Sequence, residues 1–297
     1  MKILAVLNAR AGSLLGRDGH EIRALVEKSL ARDGAEVSVR LASGKDIVRE
    51  IREGAKSDCD VLVVGGGDGS VNCAATQLAD SKKTLGVLPL GTMNLLARDL
   101  EMPNKLEDAL DALSRARPRD IDLGRVNGRV FHTLSGLGFF SQMARAREEV
   151  RGLPSKIVQV TTAAWRAFAR AEHFSVRIDI DGNKRDIETY ALLVTVNRFS
   201  GDAWRRTALD EGVLECHFAT DKAALKRFKA GADLVTGLWR KNPGIESFTA
   251  SRVRVERRRR IWAATDGELS REHMPLEYVI APKALRVLVP EENAKRD

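Results

Sequence analysis

The 297 residues are 43% hydrophobic and 30% charged, and 49 Lys and Arg against 41 Asp and Glu give a net charge of +8. That balance excludes a disordered chain and favours polyanionic partners, such as an anionic membrane surface or a phosphorylated substrate. No stretch reaches the ~18–20 uncharged apolar residues a membrane-spanning helix needs, and Cys59, Cys73 and Cys216 are too scattered for a disulfide framework or a zinc cluster, so they read as packed, reduced thiols.

Taken in order, residues 1–8 read as a buried first strand and not as a secretory signal, which makes the cytoplasm the expected compartment. Residues 21–30 carry helical periodicity, 36–41 alternate with a period of two, and 46–53 are helix-like. The apolar run 61–64 stops at Gly65-Gly66-Gly67, and then come a helix over 71–78, a strand over 85–88 and a helix over 92–100. Repeated βα units predict a doubly wound parallel sheet, whose ligands bind beyond the carboxyl ends of the strands. Pro118 and its charged neighbours mark a boundary. Beyond it, Asn127-Gly128 joins the β-like runs 121–126 and 129–134, and Asp181-Gly182-Asn183 joins 174–180 to 186–196, which are hairpin signals. Helical pieces at 156–171 and 223–240 interrupt a strand-rich half, and the strand-like run 284–289 is placed to return to the first domain. The expected fold is an α/β domain of residues 1–120, completed by about 283–297, with a β-sandwich domain of 121–282.

The sharpest chemical feature is the passage from strand 61–64 into Gly65-Gly66-Gly67-Asp68-Gly69-Ser70-Val71-Asn72. Glycines let bare backbone amides approach a phosphate, and the following helix adds its positive end. Asp68 would stand beside those phosphates, where a carboxylate is repulsive unless a divalent cation intervenes, so Asp68 is a candidate to hold Mg²⁺ directly or through water. The alternative is a glycine-rich turn with an Asp cap. The loop lacks the Gly-Lys-Ser/Thr ending of a Walker A motif and the glycine spacing of a dinucleotide fold, which disfavours an NAD-dependent dehydrogenase. A second strand-to-helix junction, Pro89-Leu90-Gly91-Thr92-Met93-Asn94, offers Thr92 and Asn94 at the next helix start; an ordinary cap by Thr92 is the plain reading.

Gly66-Gly67-Asp68-Gly69-Ser70 resembles the Gly-Gly-Asp-Gly-Thr signature of the diacylglycerol kinase and sphingosine kinase superfamily. The same family looks similar at Pro89–Asn94, at Asn8-Ala9-Arg10-Ala11-Gly12, and at the late Asp266-Gly267-Glu268. The ordered set spans nearly the whole chain with spacings that resemble the bacterial lipid kinases. The resemblance implies ATP bound between an α/β domain and a β-sandwich domain by Asn8, Ser43, Gly66, Gly67, Asp68, Gly69, Ser70, Val71, Asn72, Gly91, Thr92 and Asn94. It implies Asp68 organising Mg²⁺, Glu268 accepting the proton of a lipid hydroxyl, and a homodimer. The expected activity is phosphorylation of diacylglycerol to phosphatidic acid. The alternatives are an NAD kinase, a sphingoid-base kinase, and a nucleotide- or lipid-binding regulator without catalysis.

Departures from the family pattern are Ser70 for Thr and Cys73 for Glu. A structural Mg²⁺ of many relatives would map to Ala208, Glu211 and Val213, with Glu where the family has Asp, and only Gly201-Asp202 precedes it. The run 252–260 holds six arginines against Glu256, either docking on anionic headgroups or forming a solvated hairpin. Trp165, Trp204, Trp239 and Trp262 read as core aromatics or as the lining of a lipid pocket, and His132, His173 and His273 have no metal-ligand spacing. With only Tyr190 and Tyr278 as tyrosines and no aromatic-interleaved basic motif, no nucleic-acid partner is expected.

Overall fold

The computed structural model describes the chain except residues 33, 151–155, 200–204, 207, 221–243 and 292–297, and the side chains at 156, 157 and 160. Two compact units result, Met1–Leu123 with Lys283–Asp297, and Gly124–Pro282. The first unit runs β1 (Lys2–Asn8), α1 (Gly19–Leu30), β2 (Glu36–Ala42), α2 (Asp46–Lys56), β3 (Val61–Gly66), α3 (Asp68–Leu78), β4 (Thr84–Pro89), α4 (Leu95–Asp99) and α5 (Leu106–Ser114). Strand β5 (Arg117–Val126) carries the chain into the second unit. There follow β6 (Arg129–Phe131), β7 (Leu134–Gly138), α6 (Phe139–Glu149), α7 (Lys156–Arg170), β8 (Phe174–Ile180), β9 (Asn183–Thr189), β10 (Ala191–Val196), β11 (Leu214–Ala219), β12 (Ile245–Ala250), β13 (Arg252–Glu256), β14 (Ile261–Thr265) and β15 (Glu268–Glu272). Strand β16 (Leu276–Val289) brings the chain back.

In the first unit the sheet order is β2-β1-β3-β4-β16, all parallel. Strands β3 and β4 are buried throughout, as their unbroken apolar sequences demand of strands covered on both faces. Helix α1 turns Ile22, Val26 and Leu30 inward at four-residue steps, and Asp18 caps it by accepting from the His20 and Glu21 amides at 2.7 and 3.1 Å. Helix α2 buries Ile47, Ile51 and Gly54; a Cβ on Gly54 would lie 2.9 Å from both Leu4 and Leu62, so the glycine lets the helix close onto the sheet.

The second unit is a sandwich of antiparallel sheets. One contains the first half of β16, then β13, β8 and β9; the other has the order β12-β11-β10-β7-β14-β15. Leu192, Val194 and Val196 of β10 share a core with Ile178 of β8, Val253 and Val255 of β13, and Tyr278 of β16. The opposite face of β10 presents Ala191 and Leu193 to Phe139 and Met143 of α6 and to the alanines of α7. This period-two split of one strand between two cores is what a sheet covered on both faces requires.

Several boundaries differ from the sequence reading. Helix α3 begins at Asp68 and not at 71, while α4 begins only at Leu95 and not at 92, because Asn94 adopts a left-handed conformation (φ 50°, ψ 49°) that breaks the turn before it. Pro118 lies inside the start of β5, where a missing amide costs least. Strand β6 stops at Phe131, short of 134. The run 186–196 is two strands in two sheets: β9 is largely exposed, β10 fully buried, and the Thr189 hydroxyl donates to the Ala191 and Ala219 carbonyls at 2.7 and 2.9 Å where the chain changes sheets. Helices α5 and α6 had no counterpart in the sequence reading. Trp165 and Trp262 are 54% and 42% exposed, which corrects the reading of them as core aromatics. The predicted helix over 223–240, Gly201-Asp202, Trp204 and Trp239 lie outside the described residues. Among the described residues no helix is long and apolar enough to cross a membrane.

Candidate active site

Parallel register brings the candidate residues of the first unit to one sheet edge. Asn8 pairs with Ala42, Leu7 with Gly65, and Gly66 with Pro89, so Asn8, Ser43, the Gly66-Gly67 turn and Gly91 all leave the carboxyl ends of neighbouring strands. Each junction is shaped by the absence of side chains. A Cβ on Gly65 would meet Leu7 and Leu90 at 2.7 and 2.8 Å, and one on Gly66 would meet the Ser70 hydroxyl at 2.6 Å. A Cβ on Gly91 would lie 2.4 Å from the Gly67 Cα, so the two glycine loops touch backbone to backbone. The Leu90 amide also donates to the Gly66 carbonyl at 3.2 Å.

Helix α3 starts without a side-chain cap on its Gly67 N-cap. The Ser70 and Val71 amides return to the Gly67 carbonyl at 3.0 and 3.2 Å. That leaves the amides of Asp68 and Gly69, at the positive end of the helix, as those the first turn offers to an anion. Val71 is 4% exposed, so only its backbone can serve a ligand. The Asn72 Oδ1 is buried without a hydrogen-bond partner, an acceptor one turn into the same helix. Asn8 is half-buried and uses its side-chain oxygen to accept from the Arg10 amide at 3.0 Å, fixing the turn after β1. Ser43 is half-buried just past β2.

Asp68 and Asn94 have roles beyond those the sequence suggested. The Asp68 carboxylate accepts from the Leu95 amide through Oδ1 at 2.7 Å and from the Asn94 amide through Oδ2 at 3.1 Å. It therefore caps α4 across the loops, the function the sequence had offered to Thr92, which is exposed. The Asn94 side chain closes its own loop, accepting from the Gly91 amide at 2.9 Å and donating to the Gly91 carbonyl at 3.0 Å. At 8% exposure Asn94 shapes the loop and has little side chain left to offer a nucleotide. Each Asp68 oxygen retains a second lone pair, and a carboxylate at the head of a phosphate-type loop is suitable donor chemistry for a hard cation such as Mg²⁺.

In the second unit, Asp266 and Gly267 have φ of 46° and 86° and form the two-residue turn of the β14–β15 hairpin, with Thr265 opposite Glu268. Asp266 is 3% exposed, and its carboxylate accepts from the amides of His132, Thr133 and Leu134 at 2.7, 3.0 and 3.1 Å. Three amide donors offset the desolvation of a buried carboxylate and lock the turn onto the start of β7. Beneath it, the Ser135 hydroxyl lies 2.9 Å from that of Thr265 and 3.2 Å from that of Tyr278, whose pKa burial pushes up despite the hydrogen bond. Glu268, by contrast, is exposed at the head of β15 and makes no ion pair among the described residues. The sequence placed Asp266 in the turn that carries Glu268, but not the bracing role of its carboxylate, whose three amide donors lie more than 130 positions away.

The proposed structural metal turn fits a cation poorly. Glu211 Oε2 accepts from the Arg198 amide at 3.1 Å, with the Arg198 guanidinium 3.4 Å away, so positive charge already stands at the expected ligand. The Val213 carbonyl accepts from the Asn197 amide at 2.9 Å, and Ala208 is half-buried beside this turn in sequence. Among the described residues, no cluster of three or more His, Cys, Asp or Glu side chains could hold a metal ion.

Comparison with known proteins follows the same division. The diacylglycerol kinase catalytic domain matches residues 2–126, and the YegS C-terminal NAD kinase beta sandwich-like domain matches residues 136–289. The diacylglycerol kinase of Bacillus subtilis (strain 168) is 28% identical over 264 residues, covering 84% of each chain. A diacylglycerol kinase of Staphylococcus aureus (strain Newman) is 28% identical over 146 residues, 46% of this chain and 44% of its own. A crystal structure of a diacylglycerol kinase from Bacillus anthracis str. Sterne superposes with a TM-score of 0.72 at 19% identity, covering 98% of this chain and 97% of the other.

Proposed function

This chain belongs to the diacylglycerol kinase-like, YegS-type lipid kinase family, and we propose that it transfers the γ-phosphoryl group of ATP to the hydroxyl of diacylglycerol, giving phosphatidic acid. The observation that carries the reading is the contact of the Gly67 and Gly91 loops at the carboxyl edge of the parallel sheet, which gathers backbone amides and a helix N-terminus at one place. A polyphosphate needs that array, because its charge is spread over many oxygens and is best met by several fixed dipoles. Asn8, Ser43, Asn72 and Thr92 border the same edge and would orient the rest of the nucleotide.

Bound Mg²⁺ would neutralise charge on the phosphate oxygens. Asp68 would hold it, directly or through water, while continuing to cap α4. Glu268 would take the proton from the lipid hydroxyl as that oxygen attacks phosphorus and the ADP oxygen leaves. An exposed carboxylate on a hairpin braced by Asp266 suits a base that must be held still yet stay open to an incoming alcohol. The lipid acceptor places the working enzyme transiently at a membrane surface from the cytoplasmic side. One observation favours a second reading, an NAD kinase: the sandwich domain matches a domain named for its likeness to NAD kinase.

The test offers radiolabelled ATP with diacylglycerol in mixed micelles, a sphingoid base, or NAD, each with and without Mg²⁺. Labelled phosphatidic acid that requires Mg²⁺ and falls by about 10²–10⁴-fold in Glu268→Gln is the expected result. Label in NAD would turn the assignment to the second reading, and ATP binding without transfer to any acceptor would make the chain a regulator.

A further inference from the structure

The turn between β13 and β14 holds Arg257, Arg258, Arg259 and Arg260 in succession. Several other arginines of the second unit find carboxylates: Arg129 meets Glu272 at 2.7 Å, Arg177 meets Asp186 at 2.9 Å, and Arg254 meets Glu256 at 2.8 Å. Arg257 lies with its guanidinium 5.4 Å over the Phe174 ring. Arg258, Arg259 and Arg260 are exposed and have no hydrogen-bond or ion-pair partner among the described residues. Consecutive like charges without an acid repel one another, so nothing among the described residues rewards this sequence.

Two positions after the arginines, Trp262 is 42% exposed. Its neighbours Ile261 and Ala263 enter the sandwich core, so strand alternation sends the indole to the opposite face, across from exposed Arg271. A large aromatic left half in water beside unpaired guanidinium groups is the composition of a bilayer interface, where the indole sits at headgroup depth and the cations meet lipid phosphates. We propose that Arg258, Arg259, Arg260, Arg271 and Trp262 form a docking surface for an anionic lipid bilayer. Nucleic acid suits the surface less well, because a single indole provides no succession of stacking platforms for bases. The same hairpin carries Glu268 opposite Thr265, which is three positions from Trp262, roughly 10 Å along the strand and on the other face of the sheet. Docking would thus seat this hairpin at the bilayer, with the carboxylate read above as the proton acceptor on the face of the sheet turned away from Trp262. That last link rests on the kinase reading; the docking surface does not.

The test is vesicle co-sedimentation of the full chain without nucleotide, using phosphatidylcholine vesicles with and without phosphatidylglycerol. The wild type is expected to bind only the anionic vesicles and to release them at high salt. The combined Arg258→Gln, Arg259→Gln, Arg260→Gln variant is expected to bind about 100-fold more weakly, the corresponding triple lysine variant to keep most of the affinity, and Trp262→Ala to lose about tenfold. Unchanged far-ultraviolet circular dichroism and melting would confirm intact folding, as substitution of exposed side chains without partners should allow. Equal binding by the triple glutamine variant, or equal wild-type binding to neutral vesicles, would overturn the proposal. Tighter binding of a duplex or single-stranded oligonucleotide than of anionic vesicles at the same salt would reassign the surface to nucleic acid. Glu268→Gln separates the two readings: it should still bind vesicles while losing phosphoryl transfer.

Discussion

Asparagine in place of Asp68 separates bracing from metal binding at the glycine loops. The two carboxylate oxygens accept from the Leu95 and Asn94 amides at 2.7 and 3.1 Å. Asparagine has one acceptor, so one bond is lost and an amide donor is turned toward an N–H donor. A hydrogen bond to a charged group contributes about 1.5–3 kcal/mol. Because Asp68 is only half-buried, water compensates in part, and a net loss of about 2 kcal/mol is expected. For a domain of this size that corresponds to a fall of about 4–8 °C in Tm. The assay is thermal unfolding by circular dichroism in EDTA and without nucleotide, where a residue serving only as a metal ligand would have no effect. An unchanged Tm would refute the bracing argument. A fall would mean that activity lost in an Asp68 variant does not by itself identify a metal ligand.

Gly91→Ala should force the two loops apart, because its Cβ would lie 2.4 Å from the Gly67 Cα whereas ordinary contacts begin at 3.4 Å. A displacement of about 1 Å should weaken ATP binding roughly 100-fold by calorimetric titration, while Gly12→Ala, with nothing within 4 Å, serves as a control; equal affinities would sink the packed-loop reading. In the second unit burial acts to raise the Asp181 pKa, but hydrogen bonds from the Ser251 amide and hydroxyl and the Arg252 amide outweigh it and hold the carboxyl below its ordinary value. A lowered folded pKa means stability present above the ordinary carboxylate range and lost as pH falls through the folded value. Asp181→Asn, which tolerates the φ of 48° there, should therefore lower the urea midpoint modestly near neutral pH and hardly at all in strong acid; an equal gap at both pH values would contradict the linkage.

The parallel half was legible because its central strands β3 and β4 are short apolar runs that lead into glycine turns, a pattern that fixes both the element and the edge where ligands meet it. What escaped was the connection between segments far apart in sequence. Nothing local to Asp68 announces that its partners are Asn94 and Leu95, and nothing around Asp266 announces that three amides at the start of β7 point at it. Thr92 looked like the cap of α4 because a hydroxyl precedes an apolar run, yet the left-handed Asn94 moved the helix start beyond its reach. The change of sheet at Tyr190 was hidden because β9 and β10 are contiguous and both rich in β-formers, and only burial distinguishes them. Helix α6 starts directly from strand β7 at Gly138, with φ of 65°, and offers no cap residue to mark the transition.

Strand β16 has a consequence for the order in which the polypeptide can mature. Its Arg286 and Val287 supply the neighbours of Thr84 and Leu85 in β4. As the chain leaves the ribosome, β4 therefore waits for some two hundred further residues before its outer row of amides and carbonyls is covered. An uncovered strand of that kind is a template for pairing with another nascent chain. The sandwich is threaded between the two sides of that wait, so the amino-terminal half cannot reach its final form until the last strand has been made.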